Sequence, residues 1–404
     1  MSEARDSTVD RYQRQQLVHG LDRKYLQTLR FAVIGAGAVG NEVIKNLALM
    51  GVGQIDIYDF DRIEIHNLTR SVLFRETDIG ESKASVAARR ATDINPDVVF
   101  RAGHADLWNC LNIGETARYD CVFACVDNFE ARMRASLLCR IAGVDFISVA
   151  IDSRYVSVQR HPFGSELRPD DLAVACYECD MAQAAYQTVA QRYSCGWLRK
   201  LATDVKTVPT TAITASIAGA QAVARALATG MEESLTSASR LLFDTHSGYS
   251  TPTRLDLNED CLACGGLPIR PSLASFSGTL ESLKKQKEQN AMLEIEFSGS
   301  RVVFSEALVS ACRCVNDDQH AQQLHRSARL APARIHSEAI TWCSLCEDSS
   351  IDIEINEAFS ITDWQQQFDG AELGCRFISV IDAAGKLAVL DNSSAVSAPL
   401  TASG

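Results

Sequence analysis

A chain of 404 residues, 46% hydrophobic and 22% charged, has the apolar material for a large buried core and the length for two or three domains. Its formal charge of -12 speaks against a general nucleic-acid binder and leaves room for a basic partner surface. The polar start MSEARDSTVDRYQRQQ does not read as a signal peptide. The Ala-rich stretch Thr210 to Gly230 is broken by Gln221 and Arg225, so no membrane span is expected. Fourteen cysteines in such a chain point to thiols and metal ligands in a reducing cytoplasm rather than to a disulfide scaffold.

In chain order, residues 1–30 form an N-terminal arm. The apolar run FAVI at 31–34 leads into the glycine-rich GAGAVG of Gly35 to Gly40, and NEVIKNLALMGV follows with Val43, Ile44, Leu47 and Leu49 at helical spacing. This predicts a strand, a tight turn and a helix. Further strands are expected at Gln54 to Tyr58, Val98 to Phe100, Cys121 to Cys125 and Phe146 to Val149, with helices over Lys83 to Asp93 and Glu130 to Ala142. Strands alternating with helices indicate an α/β, Rossmann-like, doubly wound and mostly parallel sheet over 31–175. Residues 176–270 read as a cysteine-clamped crossover region that completes this core, 271–290 as a polar linker, and 394–404 as a frayed tail. The segments LEIEF (293–297), RVVF (301–304), IDIEI (351–355) and FISVI (377–381) alternate as half-wet strands do, and predict a small C-terminal α+β unit over 291–393.

The chemistry of the glycine motif depends on its context. Gly35 permits a tight turn, Gly37 lets backbone approach a phosphate, and Gly40 allows the helix to pack closely, while the helix N-terminus offers free N–H donors to an anion. Asp59, at the end of the second strand, can accept hydrogen bonds from ribose hydroxyls. So far a dehydrogenase and an ATP enzyme fit equally. Asn67, Arg70 and Lys83 follow within one excursion from the nucleotide strand. A dehydrogenase needs no cations there, whereas an adenylyltransferase does, because charge develops on the phosphoryl oxygens and on the departing pyrophosphate.

The runs RYQRQ at 11–15, GAGAVG, DFD at 59–61, NLTR at 67–70, DIGESKA at 78–84, NP at 95–96 and CVDN at 125–128 together closely resemble the ubiquitin-activating superfamily, which includes bacterial adenylyltransferases of molybdopterin and thiamine synthesis. The similarity covers roughly residues 10–270. It implies that Gly35, Gly37 and Gly40 face the phosphates of ATP, that Asp59 binds ribose beside Asp61, and that Asn67, Arg70 and Lys83 hold the triphosphate. It further implies that Asp127 assists Mg2+ and that Arg14 reaches across a homodimer into the neighbouring site. Ser71 departs from the family, where Gln is usual.

Cys176 and Cys179 (CYEC) with Cys261 and Cys264 (CLAC) have the spacing of a tetrahedral Zn2+ site, and the family carries such a site at matching positions. Cys110, Cys121, Cys125 and Cys139 lie in or beside apolar runs and read as small core residues. Cys312 and Cys314 with Cys343 and Cys346 are candidates for a second zinc, against unpaired thiols as the alternative. Cys195, in AQRYSCGWLRK, has Arg192, Arg199 and Lys200 near it to lower its pKa. It is the candidate to carry an acyl group as a thioester.

Three functions follow from this reading. The chain either activates a ubiquitin-like protein ending in glycine and passes it to its own cysteine for conjugation, or serves a sulfur carrier that becomes a thiocarboxylate, or is a noncatalytic partner of an active subunit. Larger relatives carry, where the C-terminal unit begins, a domain that recruits a ubiquitin-conjugating enzyme. No residue motif transfers that role to this chain.

Overall fold

The computed structural model describes residues 10–164 (short of 105–106, 108–110 and 112), 173–181, 210–228 and 236–264 (short of 262), and beyond these 272–276, 301–317, 320, 343–360 (short of 344 and 349), 377–381, 387–392 and 401–402. Five parallel strands form the centre of the larger sheet: β1 (Arg30–Ile34), β2 (Gln54–Tyr58), β3 (Val99–Gly103), β4 (Cys121–Ala124) and β5 (Asp145–Ile151), in the spatial order β3-β2-β1-β4-β5. Antiparallel strands β6 (Tyr155–His161), β7 (Ser239–Asp244) and β8 (Ser250–Arg254) extend it beyond β5. The order reverses between β1 and β4, so the crevice at the carboxyl ends of these two strands is where such a sheet takes a ligand.

The strands are apolar on both faces because helices cover both. On one face Phe31, Val33, Ile55, Ile57, Phe123 and Val149 share a core with α2 (Ala38–Met50), α3 (Lys83–Ile94) and α6 (Ala212–Ala226). On the other, Ala32, Ile34, Val122, Ala124 and Phe146 pack with α5 (Phe129–Ala142) and with Cys176, Cys261 and Cys264. Two shorter α-helices are α1 (Arg23–Thr28) and α4 (Ile113–Thr116), and 3-10 turns lie at Gln15–Leu17, Ile65–Thr69, Glu76–Asp78 and Tyr177–Asp180. The alternation along β1 decides which side chain goes to which core.

Local chemistry sets the helix ends. Ser82, Asn128 and Thr211 accept first-turn amides of α3, α5 and α6. Gly51 and Gly143 end α2 and α5 in the left-handed conformation, with φ 71° and 68°. α3 stops at Asn95, before Pro96, and the buried Asn95 amide donates to Ala48 O and to the Tyr12 hydroxyl, both at 2.6 Å. The RYQRQ run is thereby docked. Tyr12 is buried with the Arg23 guanidinium 3.5 Å over its ring, Arg11 donates to Ile94 O at 2.7 Å, and Gln15 to Leu49 O at 3.0 Å.

A second, five-stranded sheet has the order β11-β10-β12-β13-β9, made of β9 (Ser272–Phe276), β10 (Arg301–Cys314), β11 (Ile351–Ser360), β12 (Phe377–Ile381) and β13 (Leu387–Asn392). Three expected strands of the C-terminal unit lie in β10, β11 and β12, while 293–297 lies outside the described residues. Two expectations need correction. The stretch 271–290, read as a linker, contains β9, whose SLASF pairs in parallel with β13. The tail 394–404 contains β14 (Thr401–Ala402), which joins β3 antiparallel at the edge of the larger sheet. In both cases the partner strand supplies hydrogen bonds that a polar stretch does not announce. No described helix is long and apolar enough to cross a membrane.

Candidate nucleotide site and thiol clusters

The loop after β1 makes the first wall of the site. Gly35 has φ 90° and donates its N–H to Tyr58 O at 2.8 Å, and a Cβ there would stand 2.7 Å from Cys125 O. Only glycine fits that turn. Gly40 is pressed against the Gly35 carbonyl, which a Cβ would strike. Gly37 is different. It is the N-cap of α2 with no side-chain cap, and a Cβ there would meet nothing within 4 Å. Open space in front of the free first-turn amides of a long helix is an anion cradle.

The second wall follows β2. The Asp59 carboxylate accepts from Ala36 N at 2.7 Å and from Asp61 N at 2.8 Å. Burial raises its pKa, while the two amides and the Lys83 ammonium oppose that rise. Each oxygen keeps a lone pair for another donor. Lys83, at the start of α3, places its ammonium 2.7 Å from Asp61 and is mostly covered. Its backbone N–H donates to Asp61 O at 3.0 Å. Asn67 and Arg70 belong to one short turn between these elements. The Asn67 side-chain oxygen accepts from Glu64 N at 2.9 Å, and Arg70 donates to His66 O at 2.9 Å. Ser71 is buried.

The third wall follows β4. Asp127 is exposed between Val126 and Asn128, the residue that caps α5. Glycine turn, Asp59 and Asp127 thus all follow the carboxyl ends of β1, β2 and β4, flanking the reversal of strand order. Arg14 is exposed and lies elsewhere. Its neighbour Gln15 binds Leu49 in the last turn of α2, roughly 18 Å along the helix from Gly37 at 1.5 Å per residue. Cys195 lies outside the described residues.

Two supporting residues escape motif reading. Asn41, fully buried, donates to Ala36 O at 2.6 Å and Gly37 O at 3.1 Å and accepts from Leu73 N at 2.9 Å, locking the glycine turn to the loop that carries Arg70. Arg132, buried in α5, donates to Val126 O and, at 2.7 Å, to Ser148 Oγ, bracing the Asp127 loop; burial lowers its pKa. The signal was present in both, a polar residue on the buried face of an amphipathic helix.

The Sγ atoms of Cys176, Cys179, Cys261 and Cys264 lie within 4.8 Å of one another. Cys176 is 3.6 Å from Cys261 and 3.8 Å from Cys179, and Cys179 is 3.4 Å from Cys264. A disulfide needs about 2.05 Å, whereas four sulfurs about 2.3 Å from a central ion stand near 3.8 Å apart. The set is shaped for a metal. Cys121, Cys125 and Cys139 are core thiols held protonated by burial, Cys125 pushed up to about 12. Cys110 lies outside the described residues. The C-terminal candidates need correction, because the second cluster is Cys314, His320, Cys343 and Cys346. Among the described side chains His320 supplies the fourth donor, and the backbone of Cys312 pairs with Ile353 of β11.

The fold and these walls define a Rossmann-like nucleotide-binding protein with a thiol clamp. Residues 11–263 match the ThiF family, and the chain belongs to it. Among relatives, it is 33% identical over 178 residues to a sulfur carrier protein adenylyltransferase of Thermus thermophilus, covering 42% of this chain and 63% of that one. It is 39% identical over 123 residues to SUMO-activating enzyme subunit 2 of Dictyostelium discoideum, covering 30% and 19%. With mouse ubiquitin-like modifier-activating enzyme 5 it shares 30% over 148 residues, covering 34% and 36%. The chain therefore spans less than two thirds of each of these relatives. E. coli MccB solved with ATP has a similar fold, at a TM-score of 0.50 and 22% identity over 64% of this chain and 75% of that one.

Proposed function

We propose that the chain uses ATP to adenylate the C-terminal carboxylate of a ubiquitin-like protein and then takes the acyl group onto its own cysteine. The observation that carries the reading is the empty-fronted Gly37 cradle at the N-terminus of α2, with Asp59 and Lys83 beside it. Names of the relatives, an adenylyltransferase for a sulfur carrier protein and activating enzymes for SUMO and a ubiquitin-like modifier, support a small protein as the acyl donor.

In this reading Gly35, Gly37 and Gly40 give backbone donors room at the phosphates, and Asp59 accepts from the ribose hydroxyls. Lys83, shared with Asp61, and Arg70, turning away from His66 O, neutralise charge as the carboxylate oxygen attacks the α-phosphorus and pyrophosphate departs. Asn67 shapes the turn that presents Arg70. Asp127 would hold Mg2+, which supplies further charge neutralisation at the phosphates. The Cys195 thiolate then attacks the acyl carbonyl, forming the thioester as AMP leaves. Cys176, Cys179, Cys261 and Cys264 would hold Zn2+ as a closed structural site with no open position for chemistry. Arg14, remote from its own cradle, fits a role in the partner's site of a homodimer. A conjugating enzyme would receive the thioester, in a cytoplasmic setting.

The T. thermophilus relative favours a second fate for the acyl-adenylate, transfer to a sulfur donor and release as a thiocarboxylate. Magnesium-dependent exchange of labelled pyrophosphate into ATP, with the small protein present, tests the first step. Arg70→Ala, Lys83→Ala and Asp127→Ala are each expected to lose on the order of a hundredfold or more. Losses of only a few-fold would remove these residues from the transition state, and NAD binding without ATP use would sink the assignment.

A further inference from the structure

We propose that Cys314, His320, Cys343 and Cys346 form a second zinc site, of three thiolates and one imidazole, that ties the end of β10 to the turn before β11. The donor atoms all lie within 4.8 Å of one another. Cys314 Sγ is 3.4 Å from Cys346 Sγ, and His320 Nδ1 is 3.1 Å from Cys346 Sγ and 3.7 Å from Cys343 Sγ. Tetrahedral zinc, with Zn–S about 2.3 Å and Zn–N about 2.0 to 2.1 Å, places sulfur near 3.8 Å from sulfur and near 3.5 Å from nitrogen. Cys314 and Cys346 are too far apart for a disulfide of about 2.05 Å.

The backbone around the cluster is built as a knuckle. Cys343 and Asp348 form an antiparallel bridge, with Cys343 N donating to Asp348 O at 2.8 Å, so the chain doubles back through Cys346. Glu347 takes the positive φ, 52°, that this reversal requires. Val315 N donates to Ser350 O at 2.8 Å, which brings the end of β10 against the same turn. Cys314 and Cys343 are buried. The other His320 nitrogen, Nε2, faces the Asp317 carboxylate at 3.5 Å, the arrangement in which a carboxylate orients a metal-bound imidazole. Four protein donors leave no open position, so the site is structural. Three soft thiolates and an imidazole suit zinc, and exclude calcium and magnesium, which take oxygen ligands.

This site is independent of the nucleotide reading, and metal content of the full chain, purified without chelator, tests it. Two zinc ions per chain are expected. His320→Ala and Cys346→Ser should each lose one, and His320→Cys should keep both. Asp317→Asn should keep the count at saturation but weaken one ion roughly 10- to 100-fold in competition with a chelator. Retention of the wild-type count by both His320→Ala and Cys346→Ser overturns the proposal. Cobalt substitution guards against variants that merely misfold. The wild-type and His320→Cys chains should bind the same amount of cobalt, with a stronger thiolate-to-cobalt band in His320→Cys. An unchanged band overturns the assignment of His320 as a ligand.

Discussion

Gly35 and Gly37 stand two residues apart in one turn, yet the same substitution should act on them in opposite ways. At Gly35 the left-handed backbone, φ 90°, costs an alanine about 1 to 2 kcal/mol. Its Cβ would also stand 2.7 Å from Cys125 O, a fixed backbone atom, and such overpacking costs about 1 to 3 kcal/mol more. Gly35→Ala should therefore destabilise the fold by about 2 to 5 kcal/mol. At Gly37, φ is -74° and nothing lies within 4 Å of a Cβ. Alanine is a poorer N-cap than glycine by about 0.5 to 1 kcal/mol, and a stiffer unfolded chain returns about 0.4 to 1 kcal/mol. The net change should be near zero. The methyl would instead stand where a phosphate approaches, and the same overpacking of about 1 to 3 kcal/mol would weaken ATP roughly ten- to a hundredfold. Denaturant unfolding without nucleotide reads the first effect, and ATP binding the second. If Gly37→Ala unfolds as readily as Gly35→Ala, or binds ATP as the parent does, the cradle is misplaced.

Arg14→Ala and Lys83→Ala chains, each deficient alone, should recover part of their pyrophosphate exchange when mixed; no recovery in demonstrated mixed dimers would remove Arg14 from the partner's site. Incubation with ATP and the small protein should give an adduct that survives denaturing gels and disappears with reducing agent. Cys195→Ala should abolish it and spare exchange, so an adduct persisting in that variant moves the thioester elsewhere. In the core, Arg101 pairs with the buried Asp56 through two bonds of 2.8 and 2.9 Å, with Tyr119 donating a third at 2.8 Å. Arg101→Ala should cost about 3 to 5 kcal/mol because it removes the counter-charge of that carboxylate, and a loss under about 1 kcal/mol in denaturant unfolding would show that the Tyr119 hydroxyl, the Gln54 amide and water suffice to hold it.

The strands of the central sheet and the turn after the first of them were legible because their signals are local, whereas their spatial order, with β1 between β2 and β4, came only from the structure. FAVI is apolar on both faces, as a strand covered by helices must be, and GAGAVG announces its turn through backbone freedom that no other residue has. The first thiol cluster was legible for the same reason, since each Cys-x-x-Cys pair is a short-range unit. The residues that brace the site were not. Asn41 and Arg132 read only as polar interruptions of helical faces, and their partners, Leu73 and Ser148, are distant in sequence.

By itself the sequence determined the strand-turn-helix at Gly35 to Gly40, the parallel α/β core, the acid at Asp59, and the paired thiols at 176–179 and 261–264. Each follows from spacing within a turn or along a strand. Only the tertiary structure decided that His320 joins Cys314, Cys343 and Cys346 in the second cluster, that Ser272–Phe276 and Thr401–Ala402 become strands, and that Arg14 lies far from its own cradle. These depend on which segments of the chain meet. A strand edge accepts whichever stretch reaches it in register, and a metal-shaped cluster takes its fourth donor from whatever loop passes near. Neither choice is written in the spacing of neighbours.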